Sequence, residues 1–396
     1  MKIILIVFIP LLIFSCTPND SVLTFNVKET AGIDRELEFV EIQWSLRTKP
    51  GQDDTFSIAG QDGKFEGQIL DVIKGSDGQF TVTAIFPVTI KANKSKDYKV
   101  VMAPSQLKTS LNVKGDGLAL EIENDYFIAD LTANKFKADA PLSSGQVRSL
   151  ILKNYDNQVL KRSHINMHWS PNFQGKGREY AGLSHMIDPD VGYSEIGAYK
   201  TSIYKEGKID GYPEIKLKAK YEFYAGMPYF VFSSEIYIER DIELYLLRND
   251  EMTLDSLFTN LIFSDESKRI KNMPLYEEST YDYLQKDPIK DDAPWLAFYN
   301  RDLNYGYGSI RLKYGNKNPK DIQSPLYLPH SKISPVEDGG RYWNRRLIHE
   351  KNTFVPKGSK YYEKNAYCIF DTGSSPIEQI VNLHQRLHNP LQVSYF

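Results

Sequence analysis

The feature that most constrains the fold is a strict two-residue alternation of apolar and polar side chains. In residues 215–223, Ile, Leu, Ala, Tyr and Phe alternate with Lys and Glu. Successive side chains of a strand point to opposite faces of a sheet. The segment therefore predicts a strand with one buried face and one wet, mainly basic face.

Further alternating or apolar runs predict that the chain is all-β. These runs are residues 39–44, 80–90, 229–238, 242–247, 295–299, 307–314 and 367–370. Asp62-Gly63 is typical of a hairpin turn, and Arg240-Asp241 of a turn between two strands.

A single helix is predicted near the C-terminus. Ser375 can cap it, Pro376 suits its first turn, and Glu378 completes a capping box. Asn389-Pro390 ends it. One face carries the side chains at helical spacing, which are Ile377, Ile380, Val381, His384 and Leu387.

The strand pattern divides the chain into two domains. Residues 22–105 predict a small β-sandwich, and the Pro104-Ser105 stretch marks its end. Residues 106–396 predict a larger domain that contains the candidate site. A chain of 396 residues can bury a large core.

The N-terminus has the pattern of an export signal. Lys2 precedes an apolar run from Ile3 to Phe14, which is too short to span a bilayer. Ile13-Phe14-Ser15-Cys16 resembles the lipobox of bacterial lipoproteins. Residues 1–16 are therefore expected to be a signal peptide ending in a lipidated Cys16, and residues 17–21 a tether. An ordinary secretory peptide is the alternative.

The lipobox resemblance implies an outer-membrane lipoprotein, on the periplasmic or the cell-surface face, that holds the membrane by lipid alone. With Cys16 lipidated, Cys368 has no partner for a disulfide, and it is expected to be a small buried hydrophobe. The formal net charge of −3 gives no support to a nucleic-acid-binding role.

Two segments resemble the opening of galactose-mutarotase-like β-supersandwich domains. They are residues 117–127, GLALEIENDYF, and residues 145–150, GQVRSL. In this fold a first strand carries the Asn, a second strand runs back, and a Gly-containing turn leads into a third. The resemblance covers residues 111–396. It implies a small sandwich followed by a β-supersandwich with one C-terminal helix, and a carbohydrate substrate. The chain also resembles lipoproteins of glycan-utilisation loci in Bacteroidota.

The first candidate cluster runs from His164 to His185. In an extended segment His164, Asn166 and His168 would share one face. The cluster also contains the side chains Trp169, Asn172, Tyr180 and His185. The alternatives are a strand edge whose histidines are hydrogen-bonded in place, and a zinc site, although the spacing fits no trusted ligand pattern.

Two more clusters carry charged groups. Arg248, Asn249, Asp250 and Glu251 follow an apolar strand directly, and they could bind a substrate or form an internal salt-bridge network. The third cluster follows two glycines. On a strand, one face would carry Arg341, Trp343 and Arg345, and the other Tyr342, Asn344 and Arg346. A basic solvated strand is the alternative.

Together the clusters predict a polysaccharide lyase that cleaves an acidic, uronic-acid-containing glycan by β-elimination. The reaction requires a cation or amide on the carboxylate, a base for the C5 proton and an acid for the leaving oxygen. No cofactor or metal is expected. The predicted catalytic residues are His168, Tyr180, His185, Tyr342 and Arg345. The predicted substrate-binding residues are Trp169, Asn172, Arg248, Asn249, Arg341, Trp343 and Arg346.

Three other functions remain open at this point. A non-catalytic glycan-binding lipoprotein would need only the aromatic and arginine side chains. A glycoside hydrolase would need two opposed carboxylates, and an epimerase would need a His and a Glu.

Overall fold

A computed structural model describes residues 23–50, 56–61, 63–102, 107, 109–135, 142–162, 164–255, 257–265, 267, 269–335, 339–373 and 375–396. The signal peptide with Cys16, the tether, Asp62 and the Pro104-Ser105 boundary lie outside these ranges. The lipidation and the domain boundary therefore stay predictions.

The first half of the chain forms two groups of strands. The first six are β1 (Thr24–Lys28), β2 (Arg35–Leu46), β3 (Phe56–Gly60), β4 (Gly63–Lys74), β5 (Phe80–Ile90) and β6 (Ser95–Met102). The next five are β7 (Asn112–Asp116), β8 (Ala119–Glu123), β9 (Phe127–Asp130), β10 (Ser149–Leu152) and β11 (Gln158–Lys161).

The rest of the chain supplies both α-helices and the longest strand, β18 (Ile242–Leu254). Its first part comprises β12 (Asn172–Gly175), β13 (Tyr180–Gly182), β14 (Val191–Glu195), β15 (Lys200–Gly207), β16 (Ile215–Tyr224), β17 (Tyr229–Ile238), β18 (Ile242–Leu254), β19 (Asn260–Ser264), β20 (Ile270–Pro274) and α1 (Glu278–Lys286). Its last part comprises β21 (Ile289–Lys290), β22 (Trp295–Asn300), β23 (Tyr305–Gly315), β24 (His330–Pro335), β25 (Arg341–Ile348), β26 (Thr353–Val355), β27 (Lys360–Asp371), α2 (Pro376–His388) and β28 (Gln392–Tyr395).

The all-β prediction is confirmed, with the strands arranged in four sheets. The first has the order β2-β5-β4-β3-β6-β1-β28, so the last strand of the chain pairs with the first. The N-terminal sheet thus includes residues 392–395, and independent folding of residues 106–396 stays a prediction. The second sheet is a meander of β7 to β11.

The third and fourth sheets pack against each other and hold the main core. The third has the order β13-β12-β18-β25-β24-β21, and β26 also pairs with β18. The fourth has the order β14-β15-β16-β17-β27-β23-β22-β19-β20. Trp343 of the third sheet contacts Phe298 and Tyr307 of the fourth. Residues 215–224 alternate between buried and half-buried positions, as their sequence predicts.

The C-terminal helix is confirmed as α2. The Ser375 hydroxyl accepts a hydrogen bond of 3.3 Å from the Glu378 amide, and buried Ile380 anchors the helix. Helix α1 was not predicted, because Thr280 is its one buried residue and it shows no apolar stripe. Cys368 is buried, as expected. Neither helix of the described residues has the length and hydrophobicity needed to cross a membrane.

Candidate functional site

A bulge interrupts the centre of the third sheet. The register between β18 and β25 shifts between Asn249 and Met252, so that Asp250 and Glu251 lie opposite a single residue. Asp250 has a φ of 46°, in the left-handed region. Because a bulge breaks the two-residue alternation, Asn249 and Asp250 both point towards the fourth sheet, whereas Glu251 points away. The prediction that this polar run follows the strand was wrong, since it lies inside β18.

Asp250 is the centre of a buried polar network between the two sheets, the inner-face cluster. Its carboxylate accepts hydrogen bonds from Ser309 (2.8 Å), Arg311 (3.1 Å), Tyr314 (2.9 Å) and Tyr367 (3.2 Å). The cluster also contains His168, Asn249, Arg345 and Glu363. A buried carboxylate needs such partners, because an unpaired charge in a low-dielectric interior is costly.

His168 lies inside this network and has no exposed surface. Its ring packs edge-on against Phe232 at 4.3 Å, its Nδ1 meets the Tyr221 hydroxyl, and its Nε2 lies 3.1 Å from the Ser170 hydroxyl. Burial lowers the pKa of His168 to about 3. A general base must reach its substrate, and His168, predicted to be catalytic, has no exposed surface from which to do so.

Arg345, Trp343 and Asn249 also face inward. The Arg345 guanidinium donates to the Asp291 carboxylate at 2.8 Å and lies 4.1 Å from the Tyr314 ring centre. Trp343 is fully buried. Because β25 alternates, residues 343 and 345 share the core side, and their predicted contact with substrate is not possible from there.

The opposite face of the third sheet, turned away from the fourth, carries a second polar group, the outer-face cluster. Cross-strand pairing aligns Asn172 with Arg248, Arg248 with Arg346, and Arg346 with His330. The buried floor consists of Asn172, Glu251, Asn344 and Arg346. The half-buried rim consists of Tyr180, Arg248, Tyr342, His330 and Lys332.

Positive charge in the outer-face cluster is only partly compensated. Arg248 and Arg346 are directly opposite each other, an arrangement that is unfavourable for like charges. Arg346 pairs with Glu350 at 2.8 Å, but Arg248 and Lys332 have no ion pair with any residue that the structure describes. Burial, and then the charge of Arg248, lowers the pKa of Arg346.

Several buried polar atoms of this face have no hydrogen-bond partner among the described residues. They are Asn172 Oδ1, Tyr180 Oη, Arg248 Nε, Ser334 Oγ and Asn344 Nδ2. Asn172 and Asn344 have no exposed surface at all. Buried polar atoms are normally satisfied, so a group of unpartnered donors and acceptors on one face marks a place for a polar ligand or for ordered water.

Burial shifts the pKa of two side chains of the cluster. It raises the pKa of the Glu251 carboxyl, against the opposing effects of Arg248 and of a 2.8 Å hydrogen bond from Asn172. It also raises the pKa of Tyr180 well above its usual value, and the neighbouring Glu251 charge adds to that shift. Tyr180 is therefore a neutral phenol near pH 7.

Trp169 connects Tyr180 to His185. The Trp169 and Tyr180 rings are stacked with centres 6.5 Å apart, and His185 meets Trp169 edge-on at 5.6 Å. His185 Nδ1 lies 3.2 Å from the Gly182 carbonyl oxygen and 3.0 Å from the Gly182 nitrogen. Burial lowers the pKa of His185, which keeps its ring neutral near pH 7.

The structure thus brings together seven predicted residues and separates the others from them. Together on or beside the outer face are Trp169, Asn172, Tyr180, His185, Arg248, Tyr342 and Arg346. Arg341 instead lies over the Tyr276 ring at 4.2 Å. His164 is exposed and Asn166 is buried, so they do not share an accessible face. The segment around them is not a regular strand, so the alternation that would place His164, Asn166 and His168 on one face does not apply.

His330 and Lys332 of β24 were not predicted as site residues. Residues 330–335, HSKISP, contain Ile333 as their one large apolar side chain, so no polar–apolar alternation marks this strand in the sequence. Its position beside β25 could not be read from the sequence. A cavity of about 670 Å³ opens beside this strand, and its lining includes His330, Lys332, His349 and the α1 side chains Tyr281 and Leu284. Among the described residues, no group of three or more His, Cys, Asp or Glu side chains is placed to hold a metal ion.

The fold, in contrast to the sequence, has recognisable relatives. No known protein family and no curated protein matches the chain. Among solved structures, an alpha-mannosidase from Enterococcus faecalis V583 is 10% identical with a TM-score of 0.54, covering 95% of this chain and 46% of that one. A glycosyl hydrolase family 38 protein from Enterococcus faecalis is also 10% identical with a TM-score of 0.54, covering 95% of this chain and 47% of that one. The protein therefore shares its β-rich fold with about half the length of these two carbohydrate-active proteins.

Proposed function

We propose that the protein is a polysaccharide lyase that cleaves an acidic, uronic-acid-containing glycan at the outer-face cluster. The observation that carries the proposal is Arg248, which has no ion pair among the described residues and lies opposite Arg346, beside buried polar atoms that have no hydrogen-bond partner among those residues. Guanidinium groups bind carboxylates through two parallel hydrogen bonds. An anionic sugar on this face would also offset the repulsion between the two arginines.

The floor of the cluster supports the first step of β-elimination. Arg248 of the half-buried rim would hold the uronate carboxylate, and the charge of Arg346, its cross-strand partner, would add to the attraction. Withdrawing charge from the carboxylate makes the proton on C5 more acidic. Asn172 holds Glu251 in place through its amide.

The rim supplies the groups that move protons. His185 Nδ1 lies 3.0 Å from the Gly182 amide nitrogen and 3.2 Å from the Gly182 carbonyl oxygen. In the tautomer that donates to the carbonyl oxygen, Nε2 is unprotonated and would take the C5 proton, whereas in the tautomer that accepts the amide hydrogen Nε2 carries the ring hydrogen. Tyr180, whose pKa is raised, remains a phenol and can protonate the leaving oxygen. Tyr342 lies on the same face, where it can bind the neighbouring sugar or replace Tyr180 as the acid.

One observation favours hydrolysis as a second candidate. The Glu251 pKa is raised by burial, whereas the Arg346 hydrogen bond lowers the pKa of Glu350. A glycosidase needs one protonated and one ionised carboxyl group, and both of these lie near Arg346. The two Enterococcus proteins of similar fold are named as an alpha-mannosidase and as a glycosyl hydrolase family 38 protein.

The test is to incubate the protein with a panel of acidic polysaccharides and to follow ultraviolet absorbance of the unsaturated product. Tyr180→Phe should lower kcat by roughly 10²–10⁴, because a positioned proton donor is removed. Tyr193→Phe is the matched control, since this exposed tyrosine lies on β14 in the other sheet, and its activity should be unchanged.

The outcomes separate the candidate functions. New reducing ends without ultraviolet absorbance would contradict elimination and favour hydrolysis, with Glu251→Gln as the most damaging variant. Saturable glycan binding without any product would identify a binding protein. Loss of activity in Tyr193→Phe to the same extent as in Tyr180→Phe would contradict the assignment of the outer face.

We also propose that the protein acts as an outer-membrane lipoprotein anchored through Cys16. Cys16→Ala should remain unlipidated and should lose partitioning into the detergent phase. Partitioning equal to that of the wild type would contradict the anchor while leaving the glycan proposal intact.

A further inference from the structure

The cavity beside β24 extends the outer-face cluster and has its own cationic wall. Its volume is about 670 Å³. The lining residues His330 and Lys332 are the cross-strand partners of Arg346 and Asn344, two floor residues of the cluster. A chain of sugars in the cluster could therefore continue into the cavity.

We infer that this cavity is a second anion subsite, which binds the carboxylate or sulfate group of a neighbouring sugar in the same glycan chain. The inference rests on the proposed function, because it defines the substrate as a polymer with acidic groups on nearby sugars. A monosaccharide would occupy one of the two sites only.

The wall of the cavity offers donors without a fixed acceptor. Lys332 forms no ion pair with a described residue, although it is half-buried. The Arg346 Nη1 donates to His349 Nδ1 at 2.6 Å, so the second ring nitrogen of His349 carries a hydrogen. His330 Nδ1 donates to the Leu328 carbonyl at 2.8 Å. An ammonium and a ring N–H thus remain for an anion.

The opposite wall is apolar and suits the faces of a sugar ring. It includes Tyr281 and Leu284 of α1, together with Leu328 and Pro329. Aromatic and aliphatic surfaces pack against C–H groups, while the polar groups of the other wall orient the charged substituent. The pairing of one apolar and one cationic wall favours an acidic sugar over a small inorganic anion.

The histidine pair makes binding to the cavity dependent on pH. The His330 and His349 ring centres lie 4.8 Å apart, with Arg346, Lys332, Glu350 and Asp291 as the charged groups around them. Burial and the charge of Arg346 lower both histidine pKa values, that of His349 to about 4. A bound anion favours the protonated rings and raises these pKa values, so its affinity should increase as the pH falls.

The first experiment measures binding of glucuronate and of glucose 6-sulfate to the full protein by calorimetry, with glucose as the neutral comparison. Both anions should bind more tightly than glucose, and Lys332→Ala should weaken anion binding about tenfold. Lys99→Ala, at an exposed lysine of the N-terminal sheet, is the matched control. If one anion binds and the other does not, the result assigns the subsite to carboxylate or to sulfate.

The second experiment titrates the histidine ring signals by nuclear magnetic resonance with and without glucuronate. The pKa values of His330 and His349 should rise when the anion is present, and His349→Gln should remove one of the two shifts. Unchanged pKa values in the presence of a saturating anion would overturn the inference, whether or not Lys332→Ala folds.

Kinetics separates this inference from the proposed function. Lys332→Ala should raise KM for long chains by a larger factor than it lowers their kcat, since no proton transfer is assigned to Lys332. Turnover with an unaltered KM in Lys332→Ala would overturn the subsite and preserve the lyase proposal. If the protein shows no turnover but binds anions in a way that depends on Lys332, the subsite would be supported and the lyase activity would be contradicted.

Discussion

The charged side chains on the two faces of strand β18 differ in how many partners they have. On the inner face, Asp250 is fully buried and is met by Arg311, Tyr314 and Tyr367. On the outer face, Arg248 stands opposite Arg346 without an ion pair of its own among the described residues. Partners on both oxygens of the Asp250 carboxylate are typical of a polar group that holds two sheets together. An incomplete set of partners, on a half-exposed surface, is typical of a place where a ligand supplies the missing ones.

The same difference separates the histidines. His168 is enclosed by aromatic rings of the fourth sheet and stays neutral. His185 is half-buried beside Trp169 on the outer side. Two histidines of the same predicted cluster thus differ, because His168 is part of the packed core and His185 is partly exposed.

The largest expected effect is on the inner face. Asp250→Ala should lower the free energy of unfolding by roughly 3–5 kcal/mol, because it leaves the buried Arg311 charge without its partner. Urea denaturation would measure the change. Asp188→Ala, at an exposed position, should remain within about 0.5 kcal/mol of the wild type and serves as the control. A stable Asp250→Ala protein that has no activity would contradict the structural role of Asp250 and indicate that the reaction takes place at the inner-face cluster.

The second effect is on the outer face, where we expect a substitution to weaken glycan binding without lowering stability. Arg248→Ala should weaken binding of an acidic glycan about tenfold to a hundredfold. It should not lower the free energy of unfolding, since it relieves the repulsion with Arg346. Binding isotherms and urea denaturation on the same preparation would check both statements. A strongly destabilised Arg248→Ala with unchanged glycan affinity would contradict the outer site.

The third effect is a pH dependence of the stability of the inner face. Burial and the Asp250 charge raise the pKa of Glu363 from 4.5 to about 7. Its neutral form is favoured in the folded protein, so its contribution to stability is fully present below pH 4.5 and is lost as the pH rises to 7. Glu363→Gln should therefore gain stability relative to the wild type, by up to about 1.4 kcal/mol per pH unit over this window.

The comparison of two proteins isolates Glu363, because His168 titrates in both. Thermal or urea unfolding from pH 4 to 8 would measure the difference curve. A flat curve would show that Glu363 has an ordinary pKa and that the inner face is more hydrated than its burial indicates.

Much of the fold could be predicted because its determinants are local. Alternation placed residues 215–223 and 229–238 in strands, and the Ser375 cap placed the start of α2. Helix α1 could not be predicted in this way, since Thr280 is its one buried residue and Tyr281 and Leu284 are too few to form a clear apolar stripe. The pairing of β28 with β1 joins residues nearly the whole chain apart, and no local pattern encodes such a contact.

The sequence predicted the types of residue in the candidate site, but only some of the individual residues. The polar runs around Arg248 and Tyr342 were recognised, and strand alternation correctly separated Tyr342 from Trp343. His168 and Arg345 lie on the core side of the sheet, which could not be predicted because nothing in one strand's alternation says which of its faces meets the core.

By itself, therefore, the sequence determined that the chain forms strands and which side chains share a face of each strand, since both follow from backbone geometry. Only the tertiary structure decided which face is buried, and it did so through the packing of the third sheet on the fourth. The bulge at Asp250 then turned two neighbouring carboxyl groups to opposite sides. The direction in which each carboxyl group points depends on its partners, Arg311 for Asp250 and Asn172 for Glu251. These partners are distant in sequence and are brought close only by folding.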